Sequence, residues 1–408
     1  MFRNNTVFVI GAGASWHYGY PTGEGLIDAV TSMARRFQAY CVNRVTSGQV
    51  VQIIPDYVVQ RTDPSKGIAG AMAGWTSVRD ECEALITRLQ TVRPLVIDYF
   101  LAWNESLRPI GNLMIAAVIL ECDLIWEIER ANQNRRLALT AAPKKLSADE
   151  LRQYNISKYQ DDWYRFIVHK LVYGCAKSSD LFENRIHIIT FNYDTSLEFH
   201  IRRALRSIDL FNSDDVGTFL YDGRILHVYG AVPNATEYTE IDRRSVDNLG
   251  SSFARPLNHG GEFGPRKAFL DAAFQASTSL QTVDPNEKEL NDERLKQARD
   301  WIGSADVIYI LGYGFDENNS RRIGLNPLLR VRDDTARSIM FTNFRDIDVI
   351  NKRASRIFYD RPDQFSEMRV HRTPKEGGYI EKSTRNVYDA LALDFDSLED
   401  QLIAATRI

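Results

Sequence analysis

The sequence predicts an α/β fold in which a parallel sheet is interrupted by a large α-helical insertion. Short runs of β-branched and aromatic residues, typical of buried strands, occur at residues 6–10, 186–190 and 306–311. Between the first two runs, apolar residues recur at helical spacing. We therefore expect a sheet domain at residues 1–30 and 181–382, a mostly helical insertion at 31–180, and a C-terminal tail at 383–408 that packs or binds a partner.

The remaining elements follow from the same patterns. Further strands are predicted at residues 50–54, 225–229 and 339–342. Helices are predicted at residues 23–40, 78–92, 95–103, 110–128, 163–171, 197–205, 267–280 and 287–302. Pro94 ends or kinks the second of these helices, because proline lacks the backbone N–H that a helix interior needs. Loops are predicted at residues 63–74, 132–149 and 233–264.

The composition is typical of a soluble globular protein and excludes several classes. A net charge of −4 over 408 residues argues against a dedicated nucleic-acid-binding protein. The longest apolar stretch is too short to span a bilayer, and residues 1–5 run directly into the first strand without a signal peptide. We therefore expect a cytoplasmic protein. Four scattered cysteines without a C-x-x-C pair predict buried free thiols and no zinc site: Cys41, Cys82, Cys122 and Cys175.

The first predicted strand ends in a short glycine turn formed by Gly11, Ala12, Gly13, Ala14 and Ser15. Glycine lets backbone N–H groups approach a phosphate closely, and Ser15 adds a hydroxyl donor. Pro21 then introduces a helix. A strand, a glycine turn and a helix hold a nucleotide diphosphate in many α/β folds, although a tight turn without a ligand would use the same residues. Trp16 replaces the third glycine of the dehydrogenase motif G-x-G-x-x-G, so a dehydrogenase is the least expected function.

Other predicted strands also end in polar or glycine-rich residues. These ends are Asn192-Tyr193-Asp194, His227–Gly230, the run that begins Gly312, Tyr313, Gly314 and Phe315, and Asn343. Because the carboxyl ends of parallel strands meet along one edge, we expect these residues to line one crevice. The run from Gly312 could hold the adenosine half of a dinucleotide, with Asn343 as a weaker candidate for the same task.

Three side chains at these ends are candidates for chemistry. Asn192 and Asp194 are two residues apart, so on an extended segment both point away from Tyr193. An amide and a carboxylate can hold sugar hydroxyls or position a water, although Asp194 could instead cap the following helix. His227 is expected to share a face with Tyr229 and could take a proton from a ribose hydroxyl or a water, or could be a structural histidine.

Together these motifs resemble those of bacterial SIR2-like proteins, the sirtuin-related NAD-consuming group of anti-phage defence systems. The resembling segments keep the family's order and cover the sheet portion of the chain: Gly11–Ser15 with Gly19 and Pro21, residues 190–194, His227–Gly230 and residues 311–315. The helical insertion and the tail lie outside the resemblance.

The resemblance implies a Rossmann-like domain that binds NAD+ as substrate and needs no metal. It implies that the first turn holds the diphosphate, that Asn192 and His227 are catalytic, and that Asp194 orients the ribose or His227. The family often has histidine directly before the glycine, where this chain has Tyr229, so we assign the role to His227. Deacylating sirtuins carry a four-cysteine zinc module that this sequence lacks, which favours NAD+ hydrolysis over deacylation.

The expected function is therefore an NAD+ glycohydrolase that releases nicotinamide and ADP-ribose as the NAD-depleting effector of an anti-phage system. Two alternatives stay open: a non-catalytic module that senses NAD or ADP-ribose and controls assembly, and an NAD-dependent protein deacylase. The resemblance also implies a homo-oligomer with a partner such as a HerA-like hexameric ATPase, contacting the insertion and the tail. No direct binding to nucleic acid or to a membrane is expected.

Overall fold

The computed structural model describes residues 1–139, 162–233, 263–281, 292–326, 337–359, 370–372 and 379–394. Within these residues, seven strands form one sheet. The strands are β1 (Thr6–Ile10), β2 (Ile186–Thr190), β3 (Ile225–His227), β4 (Val307–Leu311), β5 (Ser338–Thr342), β6 (Val370–Arg372) and β7 (Tyr379–Ser383). Their order across the sheet is β3-β2-β1-β4-β5-β7-β6.

The sheet is parallel apart from one edge. β1 pairs in parallel with β2 on one side and with β4 on the other, and β3, β5 and β7 extend these two halves in the same direction. Among the described strands, β6 alone runs antiparallel, at the edge beside β7. Because the chain winds outward in opposite directions from β1, the carboxyl ends of β1 and β4 form the switch point at which folds of this kind bind ligands. The predicted Rossmann-like parallel sheet is confirmed.

The central strands are buried along their whole length. Every residue of β1, β4 and β5 is buried, which explains why their sequences are continuous apolar runs without alternation. Phe8 of β1 stacks on Tyr309 of β4 with ring centroids 4.9 Å apart. These strands therefore form a rigid base beneath the turns at their carboxyl ends.

Helices account for most of the remaining described structure. They are α1 (Ala12–Ser15), α2 (Gly23–Thr46), α3 (Asp56–Val59), α4 (Gly67–Val92), α5 (Ile97–Trp103), α6 (Arg108–Leu139), α7 (Tyr164–Val172), α8 (Ser196–Arg206), α9 (Ser213–Tyr221), α10 (Phe263–Ser277), α11 (Glu293–Ser304), α12 (Glu317–Arg322), α13 (Asp348–Tyr359) and α14 (Val387–Asp394). None of the helices in these described segments has the length and apolar composition needed to cross a membrane.

The insertion is helical, as predicted. In residues 31–139 and 162–180 every regular element is a helix or a 3-10 turn. α2 packs along α4 and α6, and α10 returns from the later part of the chain to pack on α6 and α3. The insertion is thus held by a helix from the other segment, and the exact domain boundaries stay a prediction.

Two element predictions within the insertion were wrong. Residues 50–54 form a turn and not a strand, because buried side chains take its carbonyls: Arg44 donates to Gln52 O at 2.8 Å and Trp75 to Val50 O at 3.0 Å. Residues 67–74 belong to α4 and not to a loop. A Cβ on Gly70 would lie 2.0 Å from Asp63 O, so this glycine allows the helix to pack closely against the preceding turn.

Other differences occur near the C-terminus. β7 was not predicted, because its Glu381 and Lys382 are not typical of a central strand. In the structure Lys382 is buried and pairs with Asp346 at 2.7 Å. In the tail, Val387 and Leu391 of α14 are buried, so this part of it packs. Residues 395–408, and nearly all of the predicted loop at 233–264, lie outside the described residues. α6 extends to Leu139 into the predicted loop at 132–149, and the rest of that loop is also undescribed.

Candidate active site

The polar strand ends lie side by side at one edge of the sheet. β3, β2, β1 and β4 are consecutive neighbours in the sheet, so the segments that follow them lie side by side at its carboxyl edge. The segment after β2 also pairs with the segment after β3, through a bridge between Asp194 and Val232. The structure therefore brings Asn192, Asp194 and His227 to the same edge as the glycine turn of β1.

The glycines of the first turn serve close packing between two backbones. The N–H of Gly11 donates to Leu311 O and that of Gly13 to Gly312 O, both at 3.0 Å. A Cβ on Gly11 would lie 2.6 Å from Gly312 O. Gly312 has a φ of +58°, and a Cβ there would lie 2.1 Å from Ala14 N. A diphosphate at this turn would have to use donors other than the N–H groups of Gly11 and Gly13.

Asn192 has a side-chain oxygen without a partner. Its Nδ2 donates to Ser15 Oγ at 2.7 Å and its backbone N–H to Thr190 Oγ1 at 3.1 Å. The residue is only 7% exposed, and its Oδ1 is buried without a hydrogen bond from any described residue. Leaving a buried acceptor unsatisfied costs about 1–3 kcal/mol, and such atoms in native proteins often mark functional sites.

Asp194 is bound to the first residue of the following helix. Its Oδ1 accepts the backbone N–H of Ser196 at 3.2 Å and also the Ser196 hydroxyl, although the N-cap of α8 is Thr195 and not Asp194 as the sequence suggested. Burial raises the pKa of Asp194, and hydrogen bonds from Ser196 and Ser15 oppose this rise. Asn192 therefore contacts Ser15 in the glycine turn, while the intervening Tyr193 reaches Asp98 on α5. These two neighbouring side chains have different partners, as the predicted alternation requires.

His227 is engaged at both ring nitrogens. Its Nδ1 lies 2.9 Å from Asn192 O and its Nε2 lies 2.6 Å from Glu198 Oε1. Burial lowers the pKa of His227, but the Glu198 carboxylate and the Asn192 carbonyl outweigh it, so the pKa is raised. The second oxygen of Glu198, Oε2, is buried without a hydrogen bond from the described residues. Glu198 was not predicted from the sequence, because its contact with His227 joins the first turn of α8 to the end of β3.

Tyr229 does not extend the pattern of His227. β3 ends at His227, and residues 228–229 form a turn, so the alternation of a strand stops there. The Tyr229 hydroxyl donates to Asn319 on α12, the helix that follows β4. Gly230 follows with a φ of +75°, and a Cβ there would lie 2.0 Å from Ser279 O. His227 and Tyr229 therefore have separate partners, contrary to the expected common face.

The helical insertion also contributes side chains to this edge. On α5, Asp98 accepts the hydroxyl of Tyr193, and Tyr99 donates to Asp316 Oδ1 at 2.9 Å. Burial raises the pKa of Asp98 to about 6, against the hydrogen bond from Tyr193 that lowers it. Neither residue stands in a sequence motif, because their proximity to the strand ends depends on how α5 packs. They are the second part of the site that sequence analysis missed.

The residues predicted to hold adenosine are mostly engaged in internal bonds. Asn343 donates from Nδ2 to Ile347 O at 2.9 Å and to Asn351 Oδ1 at 2.8 Å, and accepts Ile347 N–H at 3.0 Å. Its amide is thus used within the loop after β5.

The run after β4 is more closed than expected. Tyr313 is buried with its hydroxyl 3.1 Å from Ser320 Oγ, and Phe315 is buried with a φ of +50°. Gly314 differs, because a Cβ there would meet no atom within 4 Å. Pro21 lies half-buried just before α2. Within the run after β4, Gly314 therefore offers the most open backbone to a ligand.

The cysteines lie apart from these residues. Cys41 and Cys82 are buried where α2 packs on α4, and burial raises the pKa of both thiols. A thiol that stays protonated at neutral pH is a poor nucleophile and a poor metal ligand. Among the described residues, no three His, Cys, Asp or Glu side chains are placed to bind one metal ion.

Comparison of the chain with family models, with curated proteins and with solved structures finds no match. The arrangement of the strand ends is therefore the basis on which a function can be assigned. That arrangement combines a glycine turn, a buried amide with a free oxygen, and a histidine paired with a carboxylate.

Proposed function

We propose that this chain is an NAD+ glycohydrolase, which cleaves the bond between nicotinamide and ribose and releases nicotinamide and ADP-ribose. The observation that carries the proposal is the buried Oδ1 of Asn192, which has no hydrogen-bond partner among the described residues, on a residue that contacts both the glycine turn of β1 and His227. A ribose hydroxyl or a water molecule would supply the missing donor. The resemblance of the strand-end motifs to sirtuin-related proteins gives the substrate class.

The orientation of the Asn192 amide supports this use. Nδ2 donates to Ser15 Oγ at 2.7 Å, which places the amide nitrogen against the glycine turn. Oδ1 then has no hydrogen-bond partner among the described residues. The amide therefore presents a buried acceptor oxygen that a bound molecule could use.

Hydrolysis of the nicotinamide–ribose bond depends on positioning more than on acid catalysis. The glycosidic bond breaks through an oxocarbenium-like state, and nicotinamide leaves as a neutral molecule, so no general acid is needed. Water then adds to ribose C1 and releases one proton. The protein has to hold the ribose, exclude bulk water and place one water molecule, for which a fixed amide oxygen is suited.

We further propose that the activity depletes NAD+ in the cytoplasm as the effector of an anti-phage defence system. A homo-oligomer with a partner such as a HerA-like hexameric ATPase fits the resemblance. The insertion exposes apolar side chains that a partner could cover: Val42, Val59, Ile68 and Met72. Light scattering of the chain alone and after co-expression with its genomic neighbours tests this; a monomer that no neighbour alters would contradict it.

A module that senses NAD without cleaving it is the second candidate. It is favoured by the number of candidate groups that already have internal partners, Asn343 and Tyr313 among them. Incubation with NAD+ and chromatography of the products separates the two functions. Release of nicotinamide supports the glycohydrolase, whereas calorimetric binding without turnover, with or without partners, supports the sensor. Nicotinamide release that depends on an acyl-lysine peptide would instead indicate a deacylase.

A further inference from the structure

The position of His227 between two oxygen atoms favours its protonated form. Nδ1 faces the carbonyl oxygen of Asn192 at 2.9 Å, and a carbonyl can only accept. Nε2 faces Glu198 Oε1 at 2.6 Å, a short contact that favours a bond between charged groups. Neutral imidazole has a single N–H, so it would turn one lone pair toward an oxygen. Imidazolium donates at both positions and satisfies both contacts.

The charged groups around His227 favour the same state. Glu198 faces it from α8 and Asp194 from the turn before α8, while the neighbouring strand end supplies the Asn192 carbonyl. Each of these three groups favours the charged ring, and burial alone opposes it. Glu198 has the shorter of the two contacts with the ring.

We propose that Glu198 is a positioning residue that keeps His227 protonated, so that His227 serves as a charged donor to the Asn192 backbone and not as a base. Asn192 is then held at both ends, its carbonyl by His227 and its Nδ2 by Ser15. A charged donor makes roughly twice as strong a hydrogen bond as a neutral one. The consequence for catalysis rests on the proposed NAD+ hydrolysis, but the protonation state of His227 does not.

The test is a histidine titration of the full chain by NMR, without NAD+, on protein labelled with 15N and 13C at histidine. The His227 signal is assigned by its loss in His227→Asn. His187 on β2 is an internal reference: it stacks on Trp301 at 4.5 Å, and burial lowers its pKa to about 4. We expect His227 to titrate above the ordinary value of 6.5 and His187 well below it.

Two substitutions isolate Glu198. Glu198→Gln keeps the size of the side chain but removes its charge, so the His227 midpoint should fall below 6.5, where burial dominates. Glu198→Asp keeps the charge and should restore a higher midpoint. An unchanged His187 signal shows that each variant is folded, and if Glu198→Gln does not fold, the titration midpoint of the wild-type ring decides. A wild-type His227 midpoint at or below the ordinary value of 6.5, or a midpoint unmoved in folded Glu198→Gln, overturns the proposal.

A rate profile separates this proposal from the proposed function. If the chain hydrolyses NAD+ and His227 is a charged clamp, the turnover rate falls as pH rises through the His227 midpoint. If His227 is a base, the rate rises through the same pH. Absence of hydrolysis would contradict the proposed function and leave the titration result standing, so the two failures are distinguishable.

Discussion

At the residue scale, the candidate site depends on how one amide is held. Asn192 has its Nδ2 on Ser15 and its carbonyl on His227, and its Oδ1 has no partner among the described residues, so a single rotation of the amide would exchange donor and acceptor. The bond from Nδ2 to Ser15 Oγ, at 2.7 Å, favours the observed orientation. The residues that set the site are therefore the ones around Asn192 as much as Asn192 itself.

Ser15→Ala should weaken both the fold and the proposed activity. It leaves the buried Nδ2 of Asn192 without its acceptor, which costs about 1–3 kcal/mol of the free energy of unfolding. The amide can then rotate, and nicotinamide release should slow by about tenfold or more. Urea unfolding and product chromatography measure the two effects. Ser207→Ala, at the exposed end of α8, should stay within about 0.5 kcal/mol; equal losses in both variants would contradict the account.

Asp98 should make stability depend on pH. Burial raises its pKa to about 6, whereas an aspartate in an unfolded chain titrates near 3.9. Between these values the folded state binds the proton that the unfolded state has lost, so the free energy of unfolding falls as pH rises. The fall ends above pH 6 and amounts to about 3 kcal/mol.

Asp98→Asn tests this effect, because the amide keeps an acceptor for Tyr193 and does not titrate in this range. Urea unfolding from about pH 4 to about pH 7 should show the variant losing less stability than wild type. Asp80→Asn, on an exposed part of α4, is the matched control and should follow the wild-type curve. Parallel curves for Asp98→Asn and wild type would show that Asp98 is not buried as described.

At the element scale, the turn after β1 and the turn after β4 share one backbone contact surface. Gly11 and Gly13 donate to the carbonyls of Leu311 and Gly312, and no side chain fits between the two turns. The predicted glycine turn was thus correctly placed, but its glycines are explained by strand-end packing. Local sequence could not reveal this, because the partner Gly312 lies far away along the chain.

Gly312→Ala should be strongly destabilising. The new Cβ would overlap Ala14 N at 2.1 Å, and the φ of +58° is unfavourable for alanine. We expect a loss of at least about 3 kcal/mol in the free energy of unfolding. Gly314→Ala, in the same run but with no atom within 4 Å of its Cβ position, should change stability by about 1 kcal/mol or less. Similar unfolding midpoints for the two variants would contradict the packing described.

At the scale of the whole molecule, the insertion and the sheet are joined at the candidate site. α5 supplies Asp98 to Tyr193 and Tyr99 to Asp316, and α10 packs on α3 and α6. The helical part is therefore attached to the strand ends as well as to the rest of the chain. A partner that bound near α5 would lie close to the candidate site.

The sequence predicted the parts of this architecture that are encoded locally. The buried strands, the insertion helices and the polar strand ends each follow from nearby residues. The contacts of Asp98 with Tyr193, of Glu198 with His227 and of Lys382 with Asp346 join distant segments or neighbouring elements, and no local pattern encodes them. β7 was not predicted for the same reason. Its charged residues are not typical of a strand, and their partners come from elsewhere in the fold.

The central claim is that the free oxygen of Asn192 positions the reacting ribose or water. The most direct measurement is nicotinamide release from NAD+ by the full chain, alone and with the products of neighbouring genes, for wild type, Asn192→Ala and the matched variant Asn43→Ala on α2. We predict release by wild type and Asn43→Ala at equal rates, and release slower by about 10²-fold or more in Asn192→Ala. Undiminished release by Asn192→Ala, or no release by wild type under any of these conditions, would contradict the claim.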